Sequence, residues 1–175
     1  MSLPLGEAFV YAKSIVDDLS PFCLRIAIAG SIRREKPEVH DVEVVMIPNP
    51  AMSWQMSGFV LANYKILKGS IPAGKYMQIK IYEGFNADLF VARKSNWGLI
   101  YLIRTGSADF NKSLFVRLNE KGYTSMEGVL TRIELNCGST EDEEIFIDTP
   151  EERDVFKYAE LDFIEPKDRE GGLKW

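Results

Sequence analysis

Three carboxylates could do chemistry together if the fold gathers them: Asp41, Glu43 and Asp88. Asp41-Val42-Glu43-Val44 alternates acid with β-branched apolar residue. On a strand, side chains alternate between faces, so both acids point one way and both valines point into a core. Neighbouring carboxylates repel unless a cation sits between them, and paired hard oxygen donors suit magnesium. Upstream, Gly30-Ser31 opens a short helical piece. Gly30 lets backbone approach a ligand closely, and the amides of that turn point toward an anion. Arg33 and Arg34 follow, and either guanidinium could pair with phosphate oxygens. Asp88 lies in the strand pattern Asn-Ala-Asp-Leu-Phe-Val-Ala. Three acids on adjacent strands can hold two divalent ions.

Each piece has a plainer reading. Alternating acids and valines often mark a strand with one solvated face, and Gly-Ser before a strand is often only a turn. The pieces become informative together, because an anion-binding turn beside clustered carboxylates is what nucleotide transfer requires.

Those residues depend on elements that must place them. Strands are expected at Leu24 to Ala29, from Asp41, at Tyr64 to Leu67, at Tyr76 to Tyr82 and around Asp88. Residues 3 to 20 read as an amphipathic helix with Ala8, Ala12, Ile15 and Leu19 on one side, stopped by Pro21. Pro48 to Ala62 reads as a connector with a short helix or irregular piece, in which Trp54 and Met56 are packing residues. Gly69 to Lys75 is a hairpin turn, since its spacing is wrong for a phosphate loop. A buried helix runs from Ser95 to Gly106. Ser107 caps the next, which ends at Gly122. Tyr123 to Leu135 carries short strands turning at Glu127-Gly128, and Glu144 to Ile147 is another strand. Thr149-Pro150-Glu151-Glu152 predicts a helix start with the threonine as cap.

Gly30-Ser31-x-Arg33-Arg34, Asp41-x-Glu43 and Asp88 resemble the nucleotidyltransferase superfamily. Thr105-Gly106-Ser107-Ala108-Asp109-Phe110-Asn111-Lys112, Asn119-Glu120-Lys121-Gly122-Tyr123, Glu151-Glu152 to Phe156 and Ile164-Glu165-Pro166-x-x-Arg169-Glu170 resemble family X DNA polymerases, of the DNA polymerase beta type. The resemblance implies an α+β fold: a nucleotidyltransferase palm, with a mixed or antiparallel sheet and flanking helices, over residues 1–94. A small C-terminal nucleotide-selecting α/β subdomain covers 95–175. It implies a DNA polymerase that adds nucleotides from dNTP to a primer 3′ hydroxyl, filling gaps in DNA repair with two Mg2+ ions, Mn2+ being able to substitute. Asp41 and Glu43 would ligate both ions, and Asp88 the ion at the primer hydroxyl. Gly30, Ser31 and Arg34 would hold the β and γ phosphates. The His40 amide takes the place of a phosphate-contacting glycine, its ring being read as structural. Gly106 and Asn111 would lie near the sugar and base. The chain differs from the family pattern at Glu43, where aspartate is usual, at Ile103-Arg104, in place of a Tyr-Phe pair, and at Phe115, in place of a basic residue. The N-terminal lyase domain of longer members has no counterpart here, so no lyase activity is expected.

Composition sets limits. With 46% hydrophobic and 27% charged residues among 175, the chain is ordinary globular material. It has no bilayer-length apolar run and no signal-peptide pattern, so an intracellular protein of the cytoplasm or nucleus is expected; a monomer is expected too. Cys23 and Cys137 are too few for a disulfide framework, and one histidine excludes a histidine-based metal site. A net charge of −5 predicts weak, salt-sensitive DNA binding. That charge also leaves two other readings open: template-independent transfer to RNA or a small molecule, or a catalytically dead nucleotide- or DNA-binding module.

Overall fold

The structure is a computed structural model and describes residues 1–134 and 143–173. The chain divides into two compact units, Met1–Ala92 and Arg93–Trp175, each with its own core. The class is α+β, with a mixed sheet flanked by helices. No helix among the described residues is long and apolar enough to cross a membrane.

The first unit runs β1 (Leu3–Pro4), α1 (Leu5–Leu19), β2 (Cys23–Ile28), α2 (Gly30–Arg33), β3 (Glu38–Val39), β4 (Val42–Pro48), α3 (Ser53–Asn63), β5 (Lys65–Ser70), β6 (Tyr76–Tyr82) and β7 (Phe85–Val91). The main sheet has the order β2-β4-β7-β6-β5. All its neighbours are antiparallel except β4 and β7, which run parallel. One face is apolar. Val42, Val44 and Met46 of β4, Ala87 and Leu89 of β7 and Met77 and Ile79 of β6 enter the core with Ala8, Ala12, Ile15 and Leu19 of α1. The period of two on each strand then sends Glu43 and Asp88 to the other face.

Three local expectations differ from the structure. The connector carries a full helix, α3, which buries Met56 and Val60, one turn apart. Trp54, two residues before Met56, lies off that stripe and is 88% exposed, so it is no packing residue. Strand β5 continues to Ser70 because it pairs along β6 as far as Tyr76. The short β1–β3 pair has too little pattern to be read beforehand.

The second unit comprises α4 (Trp97–Thr105), α5 (Ala108–Glu120), β8 (Tyr123–Met126), β9 (Val129–Glu134), β10 (Glu143–Ile147) and α6 (Glu152–Tyr158). Strands β8, β9 and β10 form an antiparallel sheet. Ser107 caps α5, accepting from the Phe110 N–H. The β8–β9 turn has positive φ at both Glu127 and Gly128, the hairpin geometry whose twist suits its strands. Leu135, Cys137 and the acids Glu141 and Asp142 lie outside the described residues.

The helix start at α6 differs from expectation. Its cap is Glu151, in a reciprocal capping box with Asp154, whose Oδ2 accepts from the Glu151 N–H at 2.9 Å. The backbone of Thr149 is engaged elsewhere: its N–H donates to Ser95 and its carbonyl accepts from Gly98, both at 2.7 Å. Those bonds draw α4 against the segment before α6. A Cβ at Gly98 would stand 2.2 Å from the backbone carbonyl of Glu151. Gly98→Ala is therefore expected to lower the stability of the second unit by about 1–3 kcal/mol. Urea denaturation measures it, and an unchanged midpoint would show that the helices separate freely.

Candidate active site

The β4–β7 register sets Glu43 directly beside Asp88 and Val42 beside Ala87. In a parallel pair, residues in register share a face. Asp41 immediately precedes β4 and lies near enough to Asp88 to feel its charge. All three acids are half-buried. Burial, then the nearby charge of Asp88, pushes the Asp41 carboxyl above its ordinary range, while His40 and Arg34 pull it back. Asp41, Asp88, Arg34 and His40 therefore share one electrostatic neighbourhood. His40 is exposed.

Gly30 connects the turn to the carboxylates. The Ala29 N–H donates to the Glu43 carbonyl at 2.8 Å, tying the loop to β4. Gly30 has φ +64°, and a Cβ there would stand 2.2 Å from Glu43 Oε2. The positive φ is what calls for glycine here, since the Glu43 carboxylate is the free end of a flexible side chain and could shift. Helix α2 is a single turn, closed by the Arg33 and Arg34 N–H groups on the carbonyls of Ala29 and Gly30. The Ser31 hydroxyl oxygen is buried with no hydrogen-bond partner. An orphan hydroxyl of this kind is costly unless something polar binds it.

Sequence reading missed two residues that attend Asp88. The Tyr76 hydroxyl donates to Asp88 Oδ1 at 2.7 Å, and the Gln78 amide donates to the same oxygen at 2.8 Å. Gln78 stands opposite Asp88 in the β6–β7 register. The only advance signal was that Tyr76 and Gln78 alternate on one strand, and alternation does not disclose the pairing partner.

Carboxylate oxygens such as those of Asp41, Glu43 and Asp88 are the hard donors that magnesium and manganese take. Glu43 places its carboxylate against Gly30. Among the described residues no three His, Cys, Asp or Glu side chains gather closely enough to hold a metal as they stand. Cys23 offers no alternative nucleophile, since burial pushes its thiol up to about 11.

The Asp41 shift has a sign that can be tested. Its folded carboxyl binds protons more tightly than its unfolded one. The cost of ionising it therefore appears as pH rises above about 4 and is complete once pH exceeds the folded value. Asp41→Asn should raise stability at pH 7 by no more than about 1 kcal/mol, the group being only partly buried. The gain should vanish near pH 3. Thermal melts in chelator at both pH values check this, and a lower melting temperature for the variant at pH 7 would contradict it.

In the second unit, Gly106 is buried with φ +75° and ends α4, its N–H donating to the Leu102 carbonyl. The Asn111 side-chain amide donates to the Ile103 carbonyl at 2.8 Å, while its Oδ1 is buried without a partner. The Ser107 N–H donates to the Arg169 carbonyl at 3.2 Å. Gly106 and Asn111 thus share the α4–α5 junction, apart in sequence from the residues of the first unit.

No curated protein matches the chain. A family model does: residues 100–170, most of the second unit and the whole α4–α5 junction, match the DNA polymerase beta thumb, to which this part of the chain is similar.

Proposed function

We propose that the protein is a family X-type DNA polymerase that transfers nucleotides from dNTP to a primer 3′ hydroxyl, filling gaps during DNA repair inside the cell as a monomer. The observation that carries this reading is the register of Glu43 on Asp88, with Asp41 in electrostatic reach of Asp88 and a nearby turn that buries an unsatisfied Ser31 hydroxyl. The thumb similarity of residues 100–170 supports a DNA substrate.

In this reading Asp41, Glu43 and Asp88 would hold the two magnesium ions. Bound divalent ions supply charge neutralisation on the triphosphate and make a hydroxyl more acidic. The chain itself positions and orients. Ser31, the Gly30 backbone and Arg34 hold the terminal phosphates. Asp88 takes the primer hydroxyl proton as the new oxygen–phosphorus bond forms at the α phosphate. The bond to pyrophosphate breaks in the same displacement.

The test is extension of a gapped duplex with Mg2+ or Mn2+ and each dNTP and rNTP in turn. Templated addition of deoxynucleotides supports the proposal. Addition without regard to template would favour the template-independent reading, which the net charge of −5 keeps in view. DNA binding without extension would favour the inactive module. Binding should weaken steeply with salt.

A further inference from the structure

We infer that Tyr76 and Gln78 are positioning residues for Asp88. Both donate to one oxygen, Oδ1, at 2.7 and 2.8 Å. A carboxylate with both donors on Oδ1 is fixed in rotation, and it presents Oδ2, which accepts from neither, for a cation or for a hydroxyl proton. The two donors are held independently of each other. Gln78 is opposite Asp88 across the β6–β7 ladder, whereas Tyr76 is opposite Phe90, against whose ring it packs at 5.2 Å. On its other side the Tyr76 ring carries the Lys68 ammonium, 5.3 Å from the ring centre. Neither donor depends on the other for its place, so losing one should leave the second bond standing.

The role is more than local satisfaction of a polar group. Asp88 is half-buried and would find water without help. What the pair adds is orientation before any ligand arrives. Partners that orient a metal-binding carboxylate typically change metal affinity or activity by about 10- to 100-fold when removed. This inference rests on the proposed role of Asp88, and its test separates the two.

Tyr76→Phe deletes one hydroxyl and keeps the ring between Phe90 and Lys68. Gln78→Met keeps length and deletes the amide. The measurements are Mn2+ binding to the isolated protein, followed by the electron paramagnetic resonance of free Mn2+, together with kcat and KM for templated extension and the melting temperature. Each single variant is expected to weaken Mn2+ binding and lower kcat by about 10-fold, and the double variant by about 100-fold, with the nucleotide KM nearly unchanged. Melting temperatures should stay near that of the parent, which a purely structural role would not allow alongside such losses. Parent-like Mn2+ binding and kcat in the double variant, with Asp88→Asn defective in both, would overturn the inference and leave the polymerase reading intact. A parent protein that neither binds Mn2+ nor extends a primer would overturn both.

Discussion

Asp88→Asn is expected to lower the rate of primer extension by about 1000-fold while leaving the first unit folded. Asparagine keeps the oxygen that accepts from Tyr76 and Gln78, so the β6–β7 face should survive. What disappears is the negative charge, and with it both cation affinity and the capacity to receive a proton. Removing one group aimed at developing charge typically costs about 100- to 1000-fold; a group that also holds an ion should fall at the upper end. A second consequence follows from the neighbour. The Asp88 charge helps hold the Asp41 carboxyl above its ordinary range, so in Asp88→Asn the Asp41 carboxyl should titrate lower. Carbonyl-carbon NMR of aspartate side chains would record that shift independently of activity. An active Asp88→Asn enzyme would remove the carboxylate cluster from the mechanism.

The largest stability effect is expected in the second unit, at Arg169. Its side chain is completely buried, with one guanidinium nitrogen 2.8 Å from Glu152 Oε1 and the Nε donating to the Ile164 carbonyl at 2.9 Å. The rings of Phe110, Phe156 and Phe163 surround the guanidinium at 5.2 to 5.5 Å. A buried ion pair need not outperform an apolar pair of the same volume, but breaking one leaves its partner charged in a dry site. Arg169→Ala is therefore expected to cost about 3–5 kcal/mol, and Glu152→Ala a similar amount. The double substitution Glu152→Leu with Arg169→Met should be far milder than the sum, because no charge remains stranded. Urea denaturation of the four proteins measures this, and additive losses would refute it. The Arg169 carbonyl also accepts the Ser107 N–H.

Much of this molecule was legible in its residues. Alternation sent Glu43 to the face away from the core, because a period of two leaves no choice once Val42 and Val44 are buried. The α1 stripe, the Ser107 cap and the Glu127-Gly128 turn were readable for the same kind of reason: each is decided within a few residues of chain. Even the resemblance of the second unit to a polymerase thumb lay in short local motifs. The Thr149 prediction failed because its backbone was claimed by Ser95 and Gly98, residues distant in sequence.

Tertiary structure decided what pairs with what. The parallel alignment of β4 and β7 set Glu43 beside Asp88, and a slip of one residue would have turned Asp88 into the core. The antiparallel alignment of β6 on β7 brought Tyr76 and Gln78 onto Asp88. Arg169 and Glu152 met because two distant stretches close around one aromatic cluster. Side-chain type and local period are properties of the chain alone; register and the neighbours of a buried charge exist only once distant segments have packed.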